Sequence, residues 1–290
     1  MEKLSQDTVN DYERDGFVIV RGLLQDSDLD PVRRVIASQV DREARVLKNA
    51  GVIADLFEDA PFERRIYEVY KNIKRNSGNW NQEVFSRELY DFGTHPAILD
   101  LVELLLGPEI QFNGDYFVRS KLPNETRSTY PWHQDSGYYG DGTEQAHLLS
   151  LWIPLVDVDE VNGCMKMMPG SHKWGLLSAM DDGDGHLKPR EDIEKRGQSV
   201  PAVMNAGDVI AFHNLTFHRS TMNSSDSIRW SIDLRYSAIG VPLDWLFREC
   251  INGFVARSRS NPGQVDSWEE WETKRAAAIA AAQARRSSSA

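Results

Sequence analysis

The chain has 290 residues, 41% of them hydrophobic and 27% charged, and a formal net charge of -11. That composition can bury a sizeable core, and so acidic a total offers no basic footprint for nucleic acid or an anionic membrane surface. The 2 cysteines, Cys164 and Cys250, show no CxxC spacing, and no apolar run approaches the roughly 18 residues of a membrane span. The expectation is a cytoplasmic monomer or small homo-oligomer that acts on a small molecule, with neither nucleic acid nor membrane as partner.

The first third reads as mainly helical. Asp7 to Asp15 predicts a short helix closed by Gly16, and Phe17 to Val20 a strand ended by Gly22. A second helix is expected with Ser27 near its N-cap and Pro31 in its first turn. Its apolar positions Leu29, Val32, Ile36 and Val40 recur at helical spacing. Residues 46–92 carry no pattern that assigns them. A further helix starts at Pro96, carries Ile98, Leu101, Val102 and Leu105, and stops at Gly107-Pro108.

Beyond residue 110 strands and turns take over. The candidates are Tyr116 to Lys121, His147 to Val156, Cys164 to Met168, Asp208 to His213 and Arg229 to Ala238. Many short strands with few intervening helices point to an antiparallel sandwich or barrel. Trp268 to Arg286 reads as a helix, followed by a serine run expected to fray. The expected fold is mainly β with a helical layer: a jelly-roll core flanked by N- and C-terminal helices. One domain over residues 1–272 and a tail at 273–290 follow.

Chemistry concentrates at Trp132-His133-Gln134-Asp135. In an extended strand alternate side chains share a face, so His133 and Asp135 can point at one centre. A third ligand has to come from elsewhere, and Phe212 to Ser220 offers both His213 and His218. Two histidines and one carboxylate on one face of a metal form the facial triad of non-haem Fe(II) oxygenases. Taken alone, a His-x-Asp pair is as readily a pair of hydrogen-bonding surface residues. Arg229 heads an alternating strand whose apolar face is Trp230, Ile232, Leu234 and Tyr236, with Ser231, Asp233 and Arg235 on its own face. An arginine fork suits a carboxylate, although a salt-bridged strand residue would look the same.

With these pieces in order, the chain resembles the phytanoyl-CoA dioxygenase (PhyH-like) family of Fe(II)/2-oxoglutarate oxygenases from about residue 4 to 240. The resemblance rests on YERDGFVIVRGLL at Tyr12 to Leu24, PWHQD at Pro131 to Asp135, and LWIPLVDV, NGC and PGSH between Leu151 and His172. Gly207-Asp208 through His218-Arg219-Ser220, then Asn223 and Arg229, complete it. It implies a double-stranded β-helix of cupin type. It implies His133, Asp135 and His218 as iron ligands, and Arg229 with Ser220 as holders of the distal carboxylate of 2-oxoglutarate. Trp152 would pack beside the cosubstrate or serve simply as core. Lys121, Arg119 and Gln111 are candidates for a further cosubstrate contact. His213 lacks the following serine and the interval to Arg229, and His172 belongs to a structural turn. Arg235 is expected to stand farther from the triad than Arg229.

The reaction so implied consumes O₂ and 2-oxoglutarate, releases succinate and CO₂, and hydroxylates or otherwise oxidises a small organic molecule. Because Asp135 takes the position a halide would need, halogenation is not expected. An acyl-CoA, a small natural product and an amino-acid-like metabolite all remain open as substrate. The tract Ser136 to Gly142 is equally a pocket wall or a solvated loop. The competing function is a metal-binding cupin-type isomerase or binding protein that does not use 2-oxoglutarate.

Overall fold

The computed structural model describes residues 4–73, 80, 83–139, 142–183, 185–241 and 253–288. Helix α1 (Gln6–Asp15) ends at Gly16, whose φ of 80° is left-handed. A Cβ there would lie 2.3 Å from Nδ1 of His172, so glycine is required twice over. Strand β1 (Phe17–Val20) follows, then α2 (Asp26–Asn49). The latter begins before Ser27, because Gln25 and Asp28 form a reciprocal capping box, and Pro31 therefore falls in the second turn and not the first. The expected stripe of Leu29, Val32, Ile36 and Val40 is buried.

The unassigned tract supplies two short helices, α3 (Arg65–Tyr70) and α4 (Arg87–Gly93). Helix α5 (Pro96–Leu106) starts and stops at the predicted proline and glycine. Then come β2 (Glu109–Lys121), a single turn α6 (Ser136–Tyr139), β3 (Leu149–Pro154) and β4 (Met165–Met167). A hairpin follows from β5 (Ala179–Asp181) and β6 (Leu187–Pro189), and after it β7 (Val200–Ala202), β8 (Val209–His213) and β9 (His218–Ser220). The chain continues through β10 (Arg229–Ala238), β11 (Phe254–Ser258) and α7 (Trp268–Ser288). The serines expected to fray at 287 and 288 belong to α7, and Cys250 lies outside the described residues.

Six strands form one antiparallel sheet in the order β1-β8-β3-β10-β2-β11, and β7-β4-β9 form a second. The alternation of β10 decides how the large sheet is used. Trp230, Ile232, Leu234 and Tyr236 are fully buried in one cluster with Leu29, Ile36, Ile98, Leu101 and Trp271, so this face carries the helices. On the other face Phe17, Trp152, Ile210 and Phe212 join Met165, Met167 and Ala202 of the small sheet in a second cluster. The charged side chains of β2 and β10 share that inner face. Among the described residues no helix is long and apolar enough to cross a membrane.

Candidate metal centre and anion pocket

His133 and His218 face each other across an antiparallel bridge, exchanging backbone bonds of 3.0 and 3.1 Å. That bridge sets the imidazoles with ring centres 4.2 Å apart. Nδ1 of His133 lies 2.8 Å from the carbonyl of Pro131, and Nδ1 of His218 3.0 Å from that of Thr216. A carbonyl only accepts, so each Nδ1 carries the proton and each Nε2 keeps a free lone pair. Both Nε2 atoms point at Oδ1 of Asp135, at 3.9 Å from His133 and 3.6 Å from His218. Among the described residues this is the one group of such side chains whose ligand atoms all lie within 4.8 Å of one another.

Electrostatics keeps the donors in the form a cation needs. Burial, then the neighbouring His218, pulls His133 down to about 3, and burial lowers His218 as well. Burial alone would raise Asp135, but Arg235 and the two imidazoles hold it well below the ordinary carboxylate range. Near neutral pH the set is thus two neutral imidazoles and a carboxylate, the donors of a divalent first-row metal.

Arg229, on the inner face of the large sheet, is 3% exposed, with its guanidinium 5.2 Å over the ring of Trp152. Nη1 donates to Ser231 Oγ at 2.6 Å, while Nε has no hydrogen-bond partner among the described residues. Among the described residues no carboxylate lies within salt-bridge distance of it. Burial and the nearby charge of Arg119, only partly offset by Asp233, pull it down to about 10, a depression that a bound carboxylate would relieve. Lys121 sits across the ladder from Arg229, 1% exposed, and burial, with Arg229 adding to it, pulls it down to about 6. Its Nζ donates to the carbonyl of Ser128 at 2.5 Å and to Ser220 Oγ at 3.1 Å. Gly163 leaves it room: with φ at 91°, a Cβ there would lie 2.9 Å from Cδ and Cε of Lys121. Ser220 Oγ donates to Ser128 O at 2.9 Å, so the hydroxyl is bonded within the protein.

Of the other candidates, Arg119 borders this pocket, its charge acting on both Arg229 and Lys121, while Gln111, His213 and His172 lie apart from it. Arg119 is paired with Asp233 at 2.8 Å, and Gln111 bonds Ser237 and the carbonyl of Val241 at the far end of β10. His213 stacks 4.8 Å from His147, while His172 reaches the carbonyl of Glu13; neither faces the centre. The Ser136 tract is packed wall in its described part: Tyr139 donates to Asp115 at 3.1 Å and Tyr138 accepts from Leu187 at 2.9 Å. Gly140 and Asp141 lie outside the described residues.

One expectation is reversed. Arg235 is not remote from the triad but donates to Oδ2 of Asp135 at 3.1 Å, alongside Ser150 Oγ at 2.7 Å. Strand alternation places Arg235 on the face of Arg229 and Ser150 on that of Trp152, and these facts were readable. What sequence could not supply is the register that sets Arg235 opposite Ser150.

The chain matches the phytanoyl-CoA dioxygenase (PhyH) family over residues 12–231. It belongs to that family. The PhyH resemblance drawn from PWHQD and the His218–Arg229 interval is therefore borne out. A PhyH relative, "Phytanoyl-CoA dioxygenase, peroxisomal" of Bos taurus, is 26% identical over 234 residues, 78% of this chain and 66% of that protein. The chain thus spans just under two thirds of that relative's length. Among solved structures, the non-heme monooxygenase ThoJ is 23% identical with a TM-score of 0.63, over 96% of this chain and 97% of that one. The epimerase SnoN, solved with Fe3+, alpha ketoglutarate and nogalamycin RO, is 24% identical with a TM-score of 0.56, over 82% and 86%. At these identities the likeness is one of fold.

Proposed function

We propose that this PhyH protein is an Fe(II)/2-oxoglutarate-dependent dioxygenase that hydroxylates, or otherwise oxidises, a small organic molecule in the cytoplasm. On this reading the large and small sheets are the two halves of a double-stranded β-helix within a domain of residues 1–272, and α7 carries on into the tail at 273–290. The observation that carries the reading is the meeting of two imidazole nitrogens and a carboxylate oxygen, together with a buried arginine on the inner sheet face that has no carboxylate partner among the described residues. A buried cation of that kind is costly unless a ligand completes it.

His133, Asp135 and His218 would hold the iron. Arg229, backed by Trp152, would bind the distal carboxylate of 2-oxoglutarate, with Lys121 as the second cation and Ser220 holding Lys121 in place. Iron and 2-oxoglutarate, when bound, supply the oxidising chemistry with O₂, releasing succinate and CO₂. The chain's own work is orientation and exclusion of water, and no side chain has to act as general base.

A shallow groove opens beside His133 and Gln134, walled by Leu176, Leu177, Ala179, Leu187, Pro189 and Phe217. Such walls suit an apolar portion of the substrate and carry no cation for a phosphate. The test is succinate release from 2-oxoglutarate, dependent on Fe(II) and O₂ and raised above the uncoupled rate by a true substrate. Tight metal binding with no consumption of 2-oxoglutarate would instead favour the cupin-type isomerase or binding protein.

A further inference from the structure

A carboxylate has two equivalent oxygens and turns easily about its bond to Cβ. A buried one that must offer a single oxygen therefore needs the other tied down. Oδ2 of Asp135 receives Ser150 Oγ at 2.7 Å and Arg235 Nη2 at 3.1 Å, while Oδ1 faces Nε2 of both histidines at 3.6 and 3.9 Å. Arg235 is itself held from several sides. Its Nε lies 3.5 Å from Asp115, and its guanidinium lies 5.4 Å over the ring of Phe117. Between the pairs Leu234↔Tyr116 and Tyr236↔Phe112 the register shifts, so Asn113, Gly114 and Asp115 all stand opposite Arg235. A bulge of this kind re-aims side chains, here turning Asp115 toward the arginine.

We propose that Arg235 is a positioning residue for the metal centre: with Ser150 it occupies Oδ2 of Asp135, so that Oδ1 alone is offered to the metal. This rests on the reading of His133, Asp135 and His218 as metal ligands. Charge and position pull in opposite directions here, which makes the role measurable. Arg235 is a cation close to a dication, so by charge alone its removal tightens metal binding. By position its removal loosens it, because Asp135 is then free to turn; loss of such an orienting partner weakens metal binding about 10- to 100-fold.

The experiment titrates Mn(II) alone into the full chain, following free Mn(II) by electron paramagnetic resonance, and records the visible spectrum of the Co(II) form. Arg235→Met is expected to bind Mn(II) about 10- to 100-fold more weakly, with an altered Co(II) spectrum, and Arg235→Lys to fall between it and wild type. Combining Arg235→Met with Asp115→Asn removes the second carboxylate left uncompensated, and should keep the weak binding while restoring the melting temperature. Should Arg235→Met fail to fold, Ser150→Ala asks the same question, with a smaller loss and a shifted Co(II) spectrum expected. A folded Arg235→Met protein that binds Mn(II) as tightly as wild type or more tightly, with an unchanged Co(II) spectrum, overturns the proposal. Unchanged metal binding and spectrum in Ser150→Ala does the same if Ser150→Ala is the only variant that folds. A wild-type chain that binds neither metal overturns the metal centre itself, a different and recognisable result.

Discussion

Under the proposed function, Arg229 is the residue that would tie 2-oxoglutarate to this chain most specifically. Its guanidinium is buried, donates to the neutral Ser231 hydroxyl, and is pulled down from the usual arginine range to about 10 by burial. At about 1.4 kcal/mol for each factor of ten, that depression corresponds to about 3 kcal/mol held against the charged form. A carboxylate that accepts two parallel bonds from the fork returns energy of this size. Arg229→Ala should therefore raise the Kd for 2-oxoglutarate roughly a hundredfold or more, and Arg229→Lys by less, since it restores charge without the fork. Arg229→Met removes an unpaired buried charge while keeping apolar bulk, so without 2-oxoglutarate it should melt no lower than wild type, and it should lose the stabilisation that 2-oxoglutarate gives. The assay is anaerobic calorimetric titration of 2-oxoglutarate into Mn(II)-loaded protein, with Arg87→Ala, on the exposed salt-bridged surface, as control. Because Arg235 touches Asp135, it cannot serve as that control. If Arg229→Ala and Arg87→Ala both bind 2-oxoglutarate within a few-fold of wild type, the carboxylate-clamp role is wrong.

His133→Ala and His218→Ala should each abolish Fe(II) binding while His213→Ala leaves it intact; loss on His213→Ala alone would reassign the ligand. Lys121, pulled down to about 6, is neutral above that pH in the cosubstrate-free protein, and a bound carboxylate raises it again. Binding then takes up a proton, so the Kd for 2-oxoglutarate should rise with pH above about 6, by at most about tenfold per pH unit. Titration in two buffers of different ionisation enthalpy counts that proton, and Lys121→Met should erase both uptake and slope; a slope unchanged in the variant contradicts the assignment. Trp271 is fully buried, with ring centres 4.8 Å from Phe254 and 4.9 Å from Phe85. Trp271→Ala should cost about 3–5 kcal/mol and lower the Tm by on the order of 10 °C, read by thermal denaturation; an unchanged Tm would mean that α7 does not belong to the folded core.

Periodicity carried much of the fold. The alternation of β10 announced both a face for the helical layer and a face for chemistry, and Arg229–Ala238 was readable to the residue. The 3-residue strands β4, β7 and β9 are too short to show a period, so β7 and β9 went unread and β4 was drawn too long. Residues 46–92 hid α3 and α4 because each has only a turn or two to display an apolar stripe. In the candidate site, the resemblance to PhyH motifs picked out His133, Asp135, His218 and Arg229. Lys121 came into focus only once its ladder partner, Arg229, was known. The same limit applied to Arg235 and Ser150, whose meeting with Asp135 depends on strand register and on the bulge at Asn113 to Asp115. Register is a property of pairing, and one strand read by itself does not contain it.

The proposed function requires one metal and 2-oxoglutarate to meet in this pocket, with the metal on His133, Asp135 and His218. The most direct measurement is the visible absorption of the anaerobic protein as Fe(II) and then 2-oxoglutarate are added. A weak charge-transfer band should appear only with both present, saturate at one equivalent of each, and be absent from Asp135→Ala and Arg229→Ala at concentrations that saturate wild type. A chain that binds Fe(II) tightly yet develops no band with 2-oxoglutarate would contradict the account.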